Sequence, residues 1–357
     1  MSHDESGLGL REATLRLGEH RLVNRHGDFD VHFFRDLAHE ATAMAISIGD
    51  LGRNEPLLAR VHSSCVTSEC LMGCDCDCSE QLEGALETIA IEGRGVIFYL
   101  MQEGRGAGLT AKARDRMIVQ ASGNRITTFE AYASMGLPAD LRSYDVVAPM
   151  SRLLGIHGPI KLLTNNPDKS TAVARALEAE KIDVLGTESI QGPTSPFNRD
   201  YLTAKHDSGH ALDRPSRLAG ALPPLAVRVF DPVPLPGDPQ RVVTASYFLP
   251  IALPIPSRPA IDRTSGDDAS VEWFRLSVVY DRESERESIL LSQGDDDHRL
   301  SASTAERVPP VTMRLFDRLP GPGSVGRAAL RRSLVDIRDH GGGAVHVRFD
   351  DRDHAEP

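Results

Sequence analysis

All five cysteines of this 357-residue chain, Cys65, Cys70, Cys74, Cys76 and Cys78, fall within one short stretch, and no other feature restricts its folding as much. An odd, crowded set of thiols argues against a disulfide framework. Soft thiolates held this close are more often metal ligands, and zinc is the commonest metal for them. The alternative is a group of reduced, partly buried thiols, which are common singly but seldom so tightly spaced.

The surrounding chain carries no sign of an oxidising or membrane setting. Met1-Ser2-His3-Asp4-Glu5 places acid where a secretory leader carries base, and no apolar run approaches the roughly 20 residues of a membrane helix. A cytoplasmic protein without membrane spans is expected. With 40 Lys plus Arg against 51 Asp plus Glu, the net charge of -11 disfavours broad binding to nucleic acid or anionic membrane. An anionic ligand therefore needs a locally basic pocket.

The length is that of two domains. Apolar strand-like runs at 43–48, 57–61, 95–100 and 160–163 alternate with helical patterns, which predicts an α/β domain over residues 1–213. One helix is expected over 80–91 after a cap at Ser79, with Leu82, Ala85, Leu86 and Ile89 on one face. Others are expected over 141–154, ended by Gly155, and 168–179. Pro223, Pro224, Pro232, Pro234, Pro236 and Pro239 crowd the next stretch, so 214–260 reads as a proline-rich linker. Beyond it, strand-like runs at 271–280, 311–316 and 344–349 and a helix over 328–338 predict a smaller α+β unit at 261–357. The acidic run 294–297 lacks calcium-loop spacing and reads as a solvated loop.

Polar residues gather beside the expected strands of the first domain, where α/β folds place ligand sites. Gln102-Glu103-Gly104-Arg105-Gly106-Ala107-Gly108 follows a strand and precedes a helix, so its glycines would let backbone amides approach an anion. It lacks both the full dinucleotide pattern and a P-loop lysine, and a bare glycine-rich turn would also explain it.

Several ordered motifs over residues 24–210 together resemble the GTP cyclohydrolase II family: Ala59-Arg60-Val61-His62-Ser63, Cys76-Asp77-Cys78, Gln81-Leu82-Glu83, Gln102-Glu103-Gly104-Arg105, Asp140-Leu141-Arg142 and Leu162-Leu163-Thr164-Asn165-Asn166-Pro167. The resemblance implies a mixed sheet with flanking helices and a homodimer. It also implies a zinc enzyme that opens the imidazole ring of GTP and releases formate and pyrophosphate, the entry to riboflavin synthesis. Cys65, Cys76 and Cys78 fall on the zinc-ligand positions, which would leave a fourth position for water, while Cys70 and Cys74 are extras and rival ligands. Arg60, Val61, His62, Ser63, Ser64, Gln81, Glu103, Gly104, Arg105, Thr128, Thr164 and Lys169 fall on substrate-binding positions. The cations among them suit the phosphates and their Mg2+. Asp140 and Arg142 fall on the general base and on a nucleophile that takes the α-phosphorus. A guanidinium is a poor nucleophile without a base beside it, and a phosphate clamp is the alternative role.

Three positions depart from that pattern. Ser64 stands where the usual enzymes have glutamate, and Asp75 replaces an arginine beside Cys76. Arg116 falls on the position of a catalytic tyrosine when Lys112 is matched to the family lysine, and no tyrosine lies between Tyr99 and Tyr132. A variant that stops at the formamidopyrimidine nucleotide is therefore a second reading, and a non-catalytic nucleotide-binding zinc regulator a third.

Overall fold

A computed structural model describes residues 13–215, 220–224, 231–235, 237–254, 269–293, 311–316 and 325–350. Seven strands form the first sheet: β1 (Thr14–Asn24), β2 (Gly27–Asp36), β3 (Ala41–Ile48), β4 (Leu57–Ser63), β5 (Gly95–Leu100), β6 (Ile160–Leu163) and β7 (Val184–Glu188). Their order is β1-β2-β3-β5-β4-β6-β7. The β1, β2 and β3 strands run as an antiparallel meander that joins β5, whereas β5, β4, β6 and β7 are mutually parallel. The sheet is thus mixed, and all of β5 is buried, as its unbroken apolar run requires of a central strand. No burial pattern marks β1 in the sequence, because most of its side chains are exposed.

Parallel neighbours need crossovers, and these supply the helices. Between β4 and β5 lie α1 (Val66–Glu69) and α2 (Cys78–Glu92). Between β5 and β6 lie α3 (Gly108–Ala121), α4 (Thr128–Ser134) and α5 (Val147–Leu153). Helix α6 (Pro167–Leu177) joins β6 to β7, and α7 (Arg199–Asp207) follows. The carboxyl ends of β4, β5 and β6 therefore open together onto the segments singled out above.

The helix expected over 141–154 is shorter, for a physical reason. Pro149 would drive its ring into the carbonyl of residue 145 if the helix began earlier, so 140–146 stays a loop. Helix α2 begins ahead of the expected cap. Asp77 stands at its N-cap without capping it, since that carboxylate is taken by Gln81 and Lys205.

The second sheet holds β8 (Val233–Leu235), β9 (Asp238–Pro254), β10 (Ala269–Asp281), β11 (Arg286–Gln293), β12 (Val311–Phe316) and β13 (Gly343–Asp350), in the order β12-β13-β11-β10-β9-β8. Helix α8 (Val325–Asp339) connects the parallel pair β12 and β13. Residues 214–260, expected as a linker, thus contain β8 and the long β9. Its partner β8 reaches only as far as Val243, so Pro250 and Pro254 lie where no strand pairs with that side of β9 and a missing N–H costs little. The acidic run 294–297 lies outside the described residues.

The second sheet does not stand apart. Leu249, Ile251, Leu276 and Val278 share one core with α8 and with Cys70, Leu71, Met72, Leu109, Ala113 and Met117 of the first unit. The Gln120 side chain donates to Phe248 O at 2.6 Å and accepts from Phe248 N at 2.8 Å, and Cys74 N donates to Pro250 O at 2.8 Å. At Gly73 a Cβ would lie 2.7 Å from Leu249 Cδ1 and 2.8 Å from Thr67 O, so only glycine lets the cysteine loop sit this close to β9. No helix among the described residues is long and apolar enough to cross a membrane.

Candidate active site

Strand β4 carries Arg60 and His62 to its carboxyl end and Cys65 just beyond it, while Cys76 and Cys78 arrive from the loop and first turn of α2. The three sulfurs lie within 4.8 Å of one another, with Cys65 Sγ 3.8 Å from Cys76 Sγ. Zinc–sulfur bonds of about 2.3 Å at tetrahedral angles would set sulfurs about 3.8 Å apart, so the group fits such an ion. Cys70 is instead buried in the shared core, and the Cys74 thiol donates to Met72 O at 3.6 Å. Burial pushes the Cys70 thiol up to about 12 and that of Cys74 up to about 11, so both are inert thiols.

The negative charge of the trio rests on Cys65. Hydrogen bonds from the Cys76 and Cys78 thiols hold it well below the ordinary thiol range, and the Lys112 ammonium, 3.0 Å from its sulfur, adds to this. Lys112 also donates to Glu103 Oε1 at 2.8 Å. Burial works against the Lys112 charge, but Cys65 and Glu103 outweigh it and keep the ammonium charged. Glu103 accepts from Val66 N at 2.6 Å and from Gly104 N at 2.9 Å.

Beneath the sulfurs lies a second buried network. Glu69 accepts from Cys65 N at 3.0 Å, His62 Nε2 at 2.9 Å and the Tyr99 hydroxyl at 2.5 Å. Arg60 Nε donates to His62 Nδ1 at 3.2 Å, so the imidazole carries its proton on Nε2, and burial keeps it neutral. Arg60 also donates to Leu163 O at 3.0 Å and to Gln81 Oε1 at 2.8 Å. Gln81 passes the chain on to Asp77 at 2.6 Å, where Lys205 closes it at 2.8 Å. Burial lowers Arg60 to about 10.

The remaining predicted residues rim the strand ends. Arg142 pairs with Asp140 through its Nε–Nη2 edge and both carboxylate oxygens, Nε lying 2.9 and 3.1 Å from the two. Burial opposes the Arg142 charge, and the Asp140 hydrogen bonds more than restore it, so the guanidinium stays protonated. Lys169 donates to Val61 O at 3.0 Å, and burial, then the Arg142 and Arg60 charges, push it well below the usual lysine range. Its Nζ and the Arg142 guanidinium lie 5.6 and 5.9 Å from the Tyr144 ring centre. Arg105 is partly exposed, covers the Phe129 ring at 4.3 Å and has its carbonyl bonded by Leu141 N at 2.9 Å. A Cβ on Gly106 would sit 2.8 Å from the Leu141 carbonyl carbon, so glycine brings this loop against the Asp140–Arg142 loop. The Thr164 hydroxyl accepts from Asn166 N at 3.2 Å. Thr128 donates to Asp115 at 2.8 Å, the Ser63 hydroxyl is buried without a partner, and Ser64 N donates to Leu100 O at 2.9 Å.

Arg116 and Asp75, two of the three departures from the family pattern, face each other. Arg116 Nε lies 3.3 Å from Asp75 Oδ2, and the guanidinium covers the Tyr201 ring at 4.7 Å. Glu69, Asp77, Asp115, Tyr201 and Lys205 are site residues that motif reading missed. Only Tyr201 and Lys205 carried a local signal, a helical i,i+4 spacing that sets Lys205 Nζ 4.5 Å from the Tyr201 ring centre.

An α/β sheet whose strand ends gather three thiols at zinc-ligand spacing, buried cations and paired carboxylates has the make-up of a metal-assisted hydrolase. Residues 16–187 match the family described as GTP cyclohydrolase II. The GTP cyclohydrolase-2 of Teredinibacter turnerae is 39% identical over 194 residues, covering 54% of this chain and 94% of that protein. That of Azotobacter vinelandii is 41% identical over 193 residues, covering 54% of this chain and 89% of its own. The chain belongs to the GTP cyclohydrolase II family and is a hydrolase of that kind. A solved structure of RibBX from A. baumannii, a two-domain 3,4-dihydroxy-2-butanone 4-phosphate synthase, overlaps at a TM-score of 0.29 with 15% identity, over 51% of this chain and 41% of that one. That likeness is too slight to bear on the fold.

Proposed function

We propose that this enzyme opens the imidazole ring of GTP and releases pyrophosphate and formate, leaving the 2,5-diaminopyrimidinone ribotide used in riboflavin synthesis. The observation that carries the proposal is the trio Cys65, Cys76 and Cys78 at zinc-ligand spacing, backed by Lys112 and set at the ends of parallel strands. These three cysteines would hold one zinc ion, which when bound supplies a Lewis acid that makes water nucleophilic near neutral pH. The residues around it do the rest. Lys112 neutralises the charge on Cys65, and Glu103 fixes Lys112 and the backbone of Val66 and Gly104. Arg60 braces both His62 and Gln81, and Ser63 and Ser64 follow His62 in the chain. Arg105, Arg142 and Lys169 offer the cationic setting for the triphosphate and its Mg2+. Thr128 and Thr164 add hydroxyls at the rim.

Asp140, which accepts a hydrogen bond from Arg142, would take its proton as the guanidine nitrogen bonds the α-phosphorus and the bond to pyrophosphate breaks; water then frees the nucleotide. The enzyme acts in the cytoplasm as a homodimer, and light scattering should give twice the mass of the chain; the mass of one chain would remove the dimer.

A second reading ends at the formamidopyrimidine nucleotide. The observation that favours it is Arg116, buried against Asp75 where the family pattern has tyrosine, since a guanidinium can donate a hydrogen bond but cannot accept one. Loss of a proton-transfer group typically costs about 10²–10⁴-fold, enough for the formyl product to accumulate. Formate and pyrophosphate should be followed together in the first turnovers on GTP with Mg2+. Equal amounts support the full reaction. Pyrophosphate without formate, with formate release restored in Arg116→Tyr, supports the arrested one. A zinc-loaded protein that binds GTP without either product would be a regulator.

A further inference from the structure

The Asp75–Arg116 pair opens into a cavity of about 100 Å³ between the two sheets. Thr128 and Tyr201 line it from the catalytic side, while Pro250 of β9 and Trp273 of β10 line it from the second sheet, beyond the family match over residues 16–187. Two buried polar atoms there, Asp75 Oδ1 and Arg116 Nε, have no hydrogen-bond partner; the Nε lies near Asp75 Oδ2 but is poorly aligned with it. A buried carboxylate oxygen left unpaired is costly, so the place favours a ligand that brings a donor to it.

We propose that this cavity reads the hydrogen-bonding edge of the guanine base, with Asp75 accepting from its ring and amino N–H groups, Arg116 donating to its carbonyl oxygen, and Tyr201 and Trp273 as walls. The proposal rests on the GTP reading above. Its chemistry follows from complementarity. Guanine presents adjacent N–H donors beside a carbonyl acceptor, matching a carboxylate beside a guanidinium, whereas adenine presents a ring acceptor where guanine has a donor. The layout agrees with it. Arg142 and Lys169, suited to phosphates, gather around Tyr144 near the ends of β4 and β6, whereas the cavity lies against α3 and α7, and its Asp75 directly precedes Cys76 in the chain. The base and the phosphates of one nucleotide thus have separate places. Both recognition residues depart from the family pattern, and the aromatic wall Trp273 comes from the second sheet, so this reading edge belongs to this chain.

Trp273 is the only tryptophan, so its emission reports on the cavity directly. The zinc-loaded full chain should be titrated with the α,β-methylene analogues of GTP, ITP and ATP. The guanine analogue should change the emission saturably; the inosine analogue, which lacks the amino group, should bind at least tenfold more weakly, and the adenine analogue more weakly still. Asp75→Asn should weaken the guanine analogue by tenfold or more and erase its advantage over the inosine analogue, at unchanged zinc content. Arg116→Gln, on α3 and so outside the cysteine loop, should lower guanine affinity as well. Binding without an emission change, or with no loss of guanine preference in either variant, overturns the cavity's role and leaves the GTP reading intact. Failure of every guanine analogue to bind overturns both.

Discussion

Cys76→Ser is expected to strip the metal and abolish turnover, the largest effect of any single substitution here. At neutral pH serine offers a neutral hydroxyl where the ion needs a thiolate, so affinity should fall by far more than the roughly 10–100-fold that loss of a supporting hydrogen bond costs. Cys70→Ser and Cys74→Ser should keep both metal and activity, because one side chain is buried in the core shared with the second sheet and the other is turned toward Met72 O. Cys70→Ser should instead cost stability, since it buries a hydroxyl among apolar neighbours. Metal analysis of the purified variants checks this, and equal zinc loss from Cys70→Ser and Cys74→Ser would replace the open three-thiol site with a closed one.

Arg142→Ala is expected to reduce pyrophosphate release by about 10³-fold or more, since removing a single charge-stabilising donor already costs about 10²–10³ and the nucleophile would go with it. Arg142→Lys separates the two roles. The Asp140 carboxylate grips the Nε–Nη2 edge of the guanidinium with both oxygens, a geometry that lysine cannot reproduce, so the lysine variant should fall nearly as far. A lysine variant with most of its activity would make Arg142 a phosphate clamp. Pyrophosphate release in single turnovers is the measurement, because it isolates the phosphate step from ring opening.

The legible parts of the fold were those with a strong local signal. The β5 strand is an unbroken apolar run ended by glycine-containing turns, and α6 starts at Asn166, whose side chain accepts from Asp168 N and Lys169 N ahead of an apolar face. The exposed hairpin strand β1 has no such pattern. The proline-rich stretch misleads for a different reason: proline density marks a missing backbone donor, and only the pairing on each side of β9 shows that Pro250 and Pro254 leave no ladder bond unmade. Motif spacing led to the cysteines, to Arg60 and Gln81 and to the Asp140–Arg142 loop, but not to Glu69 or Lys205, which reach the site from outside those motifs, nor to the role of Asp77, which lies inside one.

By itself the sequence determined the crowded thiols, the net acid excess and the ordered motifs that carry the family, because residue type and spacing survive without knowledge of any contact. Tertiary structure alone decided that Cys70 and Cys74 face away from the trio, that Asp75 and Arg116 meet, that Lys205 closes on Asp77, and that the second sheet shares a core with α3. The physical reason is that each of these is a contact between distant segments. Each is set by which apolar faces must be buried together: Leu249 and Ile251 of β9 against Leu71, Ala113 and Met117 bring the cysteine loop and α3 to one place, and the polar partners follow from where that packing leaves them.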